Sequence, residues 1–293
     1  MSYQPRRHAR HTMLRIRGLE HRVTRWGPES SAPVLLLHGW GDCADSFQFV
    51  ADEIAPDWPL AAIDWRGFGH SDRDPGGYWF PDYYADLDEM LDRLCPAGPV
   101  RLVGHSMGGN IATVYAGIRP ERVQRIVNLE GFGLPRSEPS QAPARLARWL
   151  DQLREQPEWG DYATAGALAE RLMRRNPRLS ADRAAFIAER WTRPLPAGGV
   201  RLRADPAHRL VSPYLYRREE MEACWRRVVA PVLLVVGGLS ELAARFGTEG
   251  IAEAFRAIIP GLRVEVLAGA GHMLHHEEPA AVARLIEDFL GGT

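Results

Sequence analysis

Six short apolar runs recur along this chain: Pro33 to Leu37, Leu60 to Ile63, Val100 to Val103, Ile126 to Leu129, Val232 to Val236 and Val264 to Leu267. They are continuous rather than alternating and rich in β-branched residues, which predicts strands covered on both faces. Helix-length segments lie between them. Tyr83 to Leu94 carries Tyr83, Leu87, Met90, Leu91 and Leu94 at helical spacing, and Ala280 to Leu290 repeats the pattern. Strands alternating with helices predict an α/β fold, a mostly parallel central sheet flanked by helices with right-handed crossovers. Residues 13–26 alternate loosely and predict an N-terminal β-hairpin.

The alternation stops between Leu134 and Arg227. Pro135, Pro139 and Pro143 open this stretch, and no strand is expected in it. Arg145 to Leu153, Ala163 to Arg174, Ala181 to Trp191 and Tyr214 to Trp225 predict helices. The pattern therefore implies a core built from residues 1–133 and 226–293, interrupted by an inserted helical cap over 134–225. The insertion is rich in aromatic residues (Trp149, Trp159, Trp191, Tyr214, Tyr216, Trp225). These are expected to pack its own small core, with one or two lining a substrate pocket.

Composition narrows the function. The 293 residues are 45% hydrophobic and 25% charged, with a formal net charge of -1. No global field draws the chain to nucleic acid or an anionic membrane. No lysine occurs, so all 36 basic residues are arginine. That excludes Schiff-base chemistry, a pyridoxal-phosphate lysine, a Ser-Lys dyad and a P-loop lysine. Cys43, Cys95 and Cys224 are odd in number and unclustered, which predicts reduced thiols and neither a disulfide framework nor a structural metal site. No stretch reaches the ~20 apolar residues of a membrane span. Residues 1–18 lack an apolar signal region, so a cytoplasmic protein is expected. Neither cofactor nor metal is expected; the partner is a small-molecule substrate, and oligomeric state is left open.

The candidate chemistry starts at Gly104-His105-Ser106-Met107-Gly108, between a predicted strand and a predicted helix from Asn110 to Ile118. With 28 glycines in the chain, about 0.1 such GxSxG matches arise by chance. A turn sharp enough to expose Ser106 crowds its neighbours, and glycines lack the Cβ atoms that would clash. A serine hydroxyl needs a base to become a nucleophile. Gly269-Ala270-Gly271-His272 follows the last strand, and its small residues allow His272 to reach the same sheet edge. His275 and His276 are competitors, but His272 comes first after the strand.

At this point the sequence resembles the α/β-hydrolase superfamily. The resemblance rests on His38-Gly39-Trp40-Gly41, on Asp64-Trp65-Arg66-Gly67-Phe68-Gly69-His70-Ser71, on Gly104 to Gly108 and on Gly271-His272, in the family's order. It implies an α/β-hydrolase fold with an oxyanion hole formed by the backbone N–H groups of Trp40 and Met107. His38 and Arg66 are expected to be buttresses rather than catalysts. The chain departs from the family at the triad acid. After the strand Val232 to Val236, where most relatives place an Asp, it reads Gly237-Gly238-Leu239-Ser240-Glu241. Glu241 and Glu130, the latter closing the strand Ile126 to Leu129, are the two candidates. Some branches are similar in moving the acid to that strand end, and Glu130 is preferred.

A serine in the nucleophile position disfavours dehalogenase and epoxide hydrolase chemistry, which use Asp there in this fold. The expected reaction is hydrolysis of a carboxylic ester with a small to medium apolar acyl group, through an acyl-enzyme. Activity should rise with pH as the base loses its proton. A C–C bond hydrolase, a thioesterase or a hydroxynitrile lyase can use the same residues. A non-catalytic ligand receptor on this scaffold is the alternative of a different class.

Overall fold

The computed structural model describes residues 2–30, 32–246 and 253–291. Strands β1 (Arg10–Ile16) and β2 (Leu19–Trp26) form the expected antiparallel hairpin. Strands β3 (Val34–Leu37), β4 (Leu60–Ile63), β5 (Val100–His105) and β6 (Val123–Leu129) follow. Two short strands, β7 (Thr192–Pro194) and β8 (Val200–Leu202), precede β9 (Val232–Gly237) and β10 (Arg263–Leu267). Among the described residues the main sheet has eight strands in the order β1-β2-β4-β3-β5-β6-β9-β10. It is parallel from β4 to β10, and β2 joins antiparallel to β4.

The continuous apolar strands are explained by two cores. Successive side chains on a strand point to opposite faces. Leu35, Leu37, Leu102, Leu234 and Val236 enter one core with helices α2 (Phe80–Leu94) and α3 (Met107–Ile118). Leu36, Val103, Val127, Leu233 and Val235 enter the other. There they meet α1 (Gln48–Glu53) and the C-terminal helix α10 (Pro279–Gly291). The central strands β3, β4 and β9 are therefore buried on both faces, whereas β10, at the sheet edge, stays partly exposed.

Between β6 and β9 run α4 (Ala142–Arg154), α5 (Ala165–Arg175), α6 (Ala181–Trp191) and α7 (Arg218–Trp225). The expectation of no strand here is corrected by the β7–β8 hairpin, which closes through Gly198 and Gly199 at positive φ. Its strands are three residues long and arginine-rich, too short to show a period. The aromatic expectation is also partly corrected. Trp225 is buried in the main core against Phe255, not in a separate one. Leu168, Phe186 and Ile187 form a smaller core that borrows Phe49 from α1.

His208 seats the insertion on the loop after β4. Its ring stacks between Phe68 and Tyr78, with centroids 3.8 and 3.6 Å away. The Tyr78 hydroxyl donates to Asp205 at 2.7 Å. Burial pulls the His208 imidazole down to about 3. The unfolded chain takes up this proton near the ordinary histidine value of ~6.5, whereas the folded protein resists it. Stability contributed by the neutral ring is therefore complete above ~6.5 and declines as pH falls, by up to ~1.4 kcal/mol per pH unit. His208→Gln should lower Tm at pH 7 through lost stacking, yet show a smaller further loss between pH 7 and 5 than the wild type. Thermal melts across that interval check it; an unchanged slope contradicts it.

Candidate active site

Parallel strands place their C-terminal ends on one edge of the sheet. The loops at that edge carry Trp40 after β3, Ser106 between β5 and α3, Glu130 after β6 and His272 after β10. Ser106 turns the chain at φ 49 and ψ −109. A non-glycine residue held in this left-handed region costs on the order of 1–3 kcal/mol. The flanking glycines make the bend feasible. A Cβ on Gly104 would lie 2.4 Å from the Gly108 carbonyl oxygen, and one on Gly108 only 2.1 Å from that of Leu37. The Ser106 N–H donates to the Leu129 carbonyl at 2.8 Å, tying the bend to β6.

Ser106 Oγ lies 3.1 Å from His272 Nε2. His272 Nδ1 lies 3.0 Å from Glu130 Oε2. The Glu130 side chain is fully buried, and its oxygens also accept from the Gly237 N–H and the Ser240 hydroxyl, each at 2.6 Å. Carboxylate oxygens only accept, so the inferred tautomer has Nδ1 protonated and Nε2 free to accept from Ser106. A hydroxyl, an imidazole and a carboxylate in series can move a proton off the hydroxyl as it attacks.

Glu130 sits at φ 63, again left-handed. Asn128 holds this turn: its Oδ1 accepts from the Gly131 N–H at 2.8 Å, and its Nδ2 donates to the Gly131 carbonyl and to Thr113 Oγ1, both at 3.0 Å. Asn followed three residues later by Gly is a turn signature that sequence reasoning left unread. Glu241 opens the short helix α8 (Glu241–Phe246), is exposed, and makes no hydrogen bond to His272 among the described residues.

The loop bearing His272 is held from two sides. His105 Nε2–H donates to the His272 carbonyl at 2.8 Å. Glu277, on the one-turn helix α9 (Leu274–Glu277), accepts from the Gly271 N–H at 2.6 Å. Its other partners, Arg178 Nε at 2.6 Å and Asn176 Nδ2 at 2.8 Å, come from the insertion. Burial raises the Glu277 pKa, but these donors outweigh burial and hold it below the ordinary value. The competitors His275 and His276 point elsewhere. Both are buried, with Nε2 atoms 3.2 and 3.4 Å from Asp42 Oδ2. Burial, then the neighbouring His276, brings His275 down to about 4.

Asp42, His275 and His276 offer ligand atoms within 4.8 Å of one another, the one such group among the described residues. Asp42 is already engaged by the Cys43 N–H, the Ser46 hydroxyl and Trp191 Nε1–H, at 2.8, 2.8 and 3.0 Å. Asp42 thus ties the β3 loop to the His272 loop through His275 and to α6 through Trp191.

Met107 opens α3, so its N–H has no acceptor within the helix. The Trp40 N–H also finds no backbone acceptor among the described residues. His38 is fully buried below them; its Nε2 accepts from the Trp65 N–H at 3.0 Å and its Nδ1–H donates to the Gly39 carbonyl at 2.7 Å. Arg66 grips both oxygens of buried Asp86 at 2.6 Å. Both side chains brace loops, as expected. Among the described residues no helix is long and apolar enough to cross a membrane.

Comparison with known proteins agrees with this architecture. A family model described as the alpha/beta hydrolase fold matches residues 32–279. The chain is 29% identical to a serine hydrolase-like protein of Danio rerio, over 90% of this chain and 83% of that one. It is also 29% identical to a putative 2-succinyl-6-hydroxy-2,4-cyclohexadiene-1-carboxylate synthase of Bacillus subtilis (strain 168), covering 93% and 95%. The solved thioesterase domain from the curacin biosynthetic pathway superposes with a TM-score of 0.85 at 28% identity, covering 95% and 99%. The chain belongs to the alpha/beta hydrolase fold family and is a hydrolase.

Proposed function

We propose that this hydrolase cleaves a carboxylic ester through a Ser106-His272-Glu130 triad. The observation that carries the reading is the unbroken series Ser106 Oγ to His272 Nε2 to Glu130, at 3.1 and 3.0 Å. Ser106 Oγ attacks the ester carbonyl while His272 Nε2 takes its proton. The carbonyl oxygen becomes an oxyanion facing the N–H groups of Trp40 and Met107; one such donor is worth about 3–4 kcal/mol of barrier. Collapse breaks the C–O bond, and His272 returns the proton to the departing alkoxide. Water then attacks the acyl-enzyme, giving its proton to His272, and the acid leaves as Ser106 is restored. Glu130 keeps Nδ1 protonated and stabilises the imidazolium in both halves.

Residues 134–225 act in this proposal as a cap over the site. Helix α7 anchors it through Trp225, and the Glu277 contacts link it to the His272 loop. The small to medium acyl group lies against apolar residues under that cap. The free thiols of Cys43, Cys95 and Cys224 accord with a reducing compartment, so we place the enzyme in the cytoplasm.

The name of the curacin relative favours a second reading, thioester hydrolysis, on the same residues. A panel of matched p-nitrophenyl esters, acyl thioesters and vinylogous diketones separates the classes. Ester kcat/KM at least tenfold above the others is expected; preferential thioester or C–C cleavage would overturn the ester assignment.

A further inference from the structure

A cavity of about 680 Å³ lies between the insertion and the loop after β3. Its wall includes Trp40 and Met273. Met273 follows His272, and a Cβ on Gly39, beside Trp40, would sit 3.3 Å from Ser106 Cβ. Ser106 and His272 are not themselves in the wall, so the cavity adjoins their site through Trp40 and Met273. A larger space of about 850 Å³, between α2 and the insertion, touches neither loop.

The smaller cavity is lined by Arg171, Arg175, Arg203 and Arg209. No carboxylate lies within ion-pairing distance of any of them among the described residues. The two acidic residues in the lining are engaged elsewhere. Asp161 holds Arg201 at 2.5 and 3.0 Å. Asp42 is buried under the donors already named. Arg171 and Arg175, four apart on α5, repel one another, which an isolated helix would avoid. Arg203 is the most telling. Its Nε is buried and has no hydrogen-bond partner among the described residues. A buried polar group left unpaired is destabilising, more so when charged. Burial, then the neighbouring Arg22, also weakens its hold on the proton. Arg209 is fixed over the Trp159 ring at 5.3 Å, and Trp159 in turn faces Trp40 at 6.3 Å. Cations in a partly apolar cavity, with their own carboxylates spent, form a receptor for an anion supplied from outside.

We propose that this cavity binds a carboxylate at the far end of the substrate, so that the enzyme acts on half-esters of short dicarboxylic acids. The proposal rests on Ser106 as the nucleophile only for the reaction; the binding site stands on the cavity alone. An apolar chain of a few carbons would pass Trp40, with the ester carbonyl at Ser106 and the carboxylate against Arg203 and Arg175.

Two measurements test it separately. In Ser106→Ala protein, tryptophan quenching should show glutarate binding at least tenfold tighter than its neutral diamide. That affinity should weaken on raising NaCl from 50 to 500 mM, and fall at least tenfold in Arg203→Gln. In the active protein, the kcat/KM ratio of p-nitrophenyl hydrogen glutarate to p-nitrophenyl valerate should exceed ten, and shrink at least tenfold in Arg203→Gln. Should that variant not fold, Arg175→Gln, at the C-terminal end of α5, must reduce the same ratio. Equal binding of glutarate and the diamide, a ratio untouched by both substitutions, or inorganic phosphate binding more tightly than glutarate overturns the proposal. Glutarate bound as expected with neither ester cleaved would support the site and overturn the ester reading.

Discussion

Replacing Ser106 with alanine is expected to lower kcat for ester hydrolysis by a factor on the order of 10⁶. The size follows from the arrangement. The hydroxyl is the one group in the series that forms a bond to carbon, and no other hydroxyl is hydrogen-bonded to His272 among the described residues. In the proposed mechanism what survives is transition-state binding by the Trp40 and Met107 N–H groups, worth roughly 10³–10⁴ over water in comparable enzymes. Fold stability should change little. Alanine keeps the Cβ and therefore the left-handed bend at φ 49. Steady-state kinetics with a p-nitrophenyl ester, paired with a thermal melt, check both halves. A drop in rate accompanied by unfolding would speak about the bend and not the chemistry.

The second large effect concerns the acid. Glu130→Gln is expected to lower kcat by about 10⁴, by analogy with the loss when a triad carboxylate becomes an amide. The substituted side chain has nearly the same shape, so the Gly237 N–H can still be met by its oxygen. The amide nitrogen would then face Ser240 and His272. An N–H₂ opposite His272 Nδ1 favours protonation at Nε2, and Nε2–H cannot accept a proton from Ser106. Glu241→Gln removes an exposed charge at the start of α8 and should stay within about twofold. Kinetics of the two variants side by side check the assignment; a large loss in Glu241→Gln with a small one in Glu130→Gln contradicts it.

Much of this architecture was legible in the sequence, for identifiable reasons. Strands β3, β4 and β9 show as unbroken apolar runs because each is buried on both faces. Strands β5, β6 and the half-exposed edge strand β10 show less cleanly, each run carrying one polar residue (Arg101, Asn128, Glu265). Helices α2 and α10 show because each presents one apolar stripe to a core. The β7–β8 hairpin did not show, since three residues fit any period and its fold depends on Gly198 and Gly199. Trp225 was misplaced because periodicity says which residues are buried, not against which core.

The site divides the same way. Ser106 and its glycines announce themselves because a crowded bend restricts residue type. The acid stayed open between Glu130 and Glu241 because β6 and β9 are neighbours, and only coordinates say which strand end reaches His272. The structure puts Ser240, near the usual acid position, in contact with the Glu130 carboxylate. A one-dimensional reading does not reveal such a contact. The arginine cavity was equally hidden. Its cations come from α5, from the end of the hairpin and from the turn after it, and only the fold brings them to one space.

Every step of the proposed mechanism depends on Ser106 being an activated nucleophile. A fluorophosphonate probe tests it directly, because the probe reacts with the hydroxyl only when a base withdraws its proton. A single covalent adduct is expected on the peptide carrying Ser106 in the wild-type protein, and none when His272 is replaced by alanine. An unlabelled wild-type protein, an adduct on another residue, or labelling that persists without His272 would contradict it.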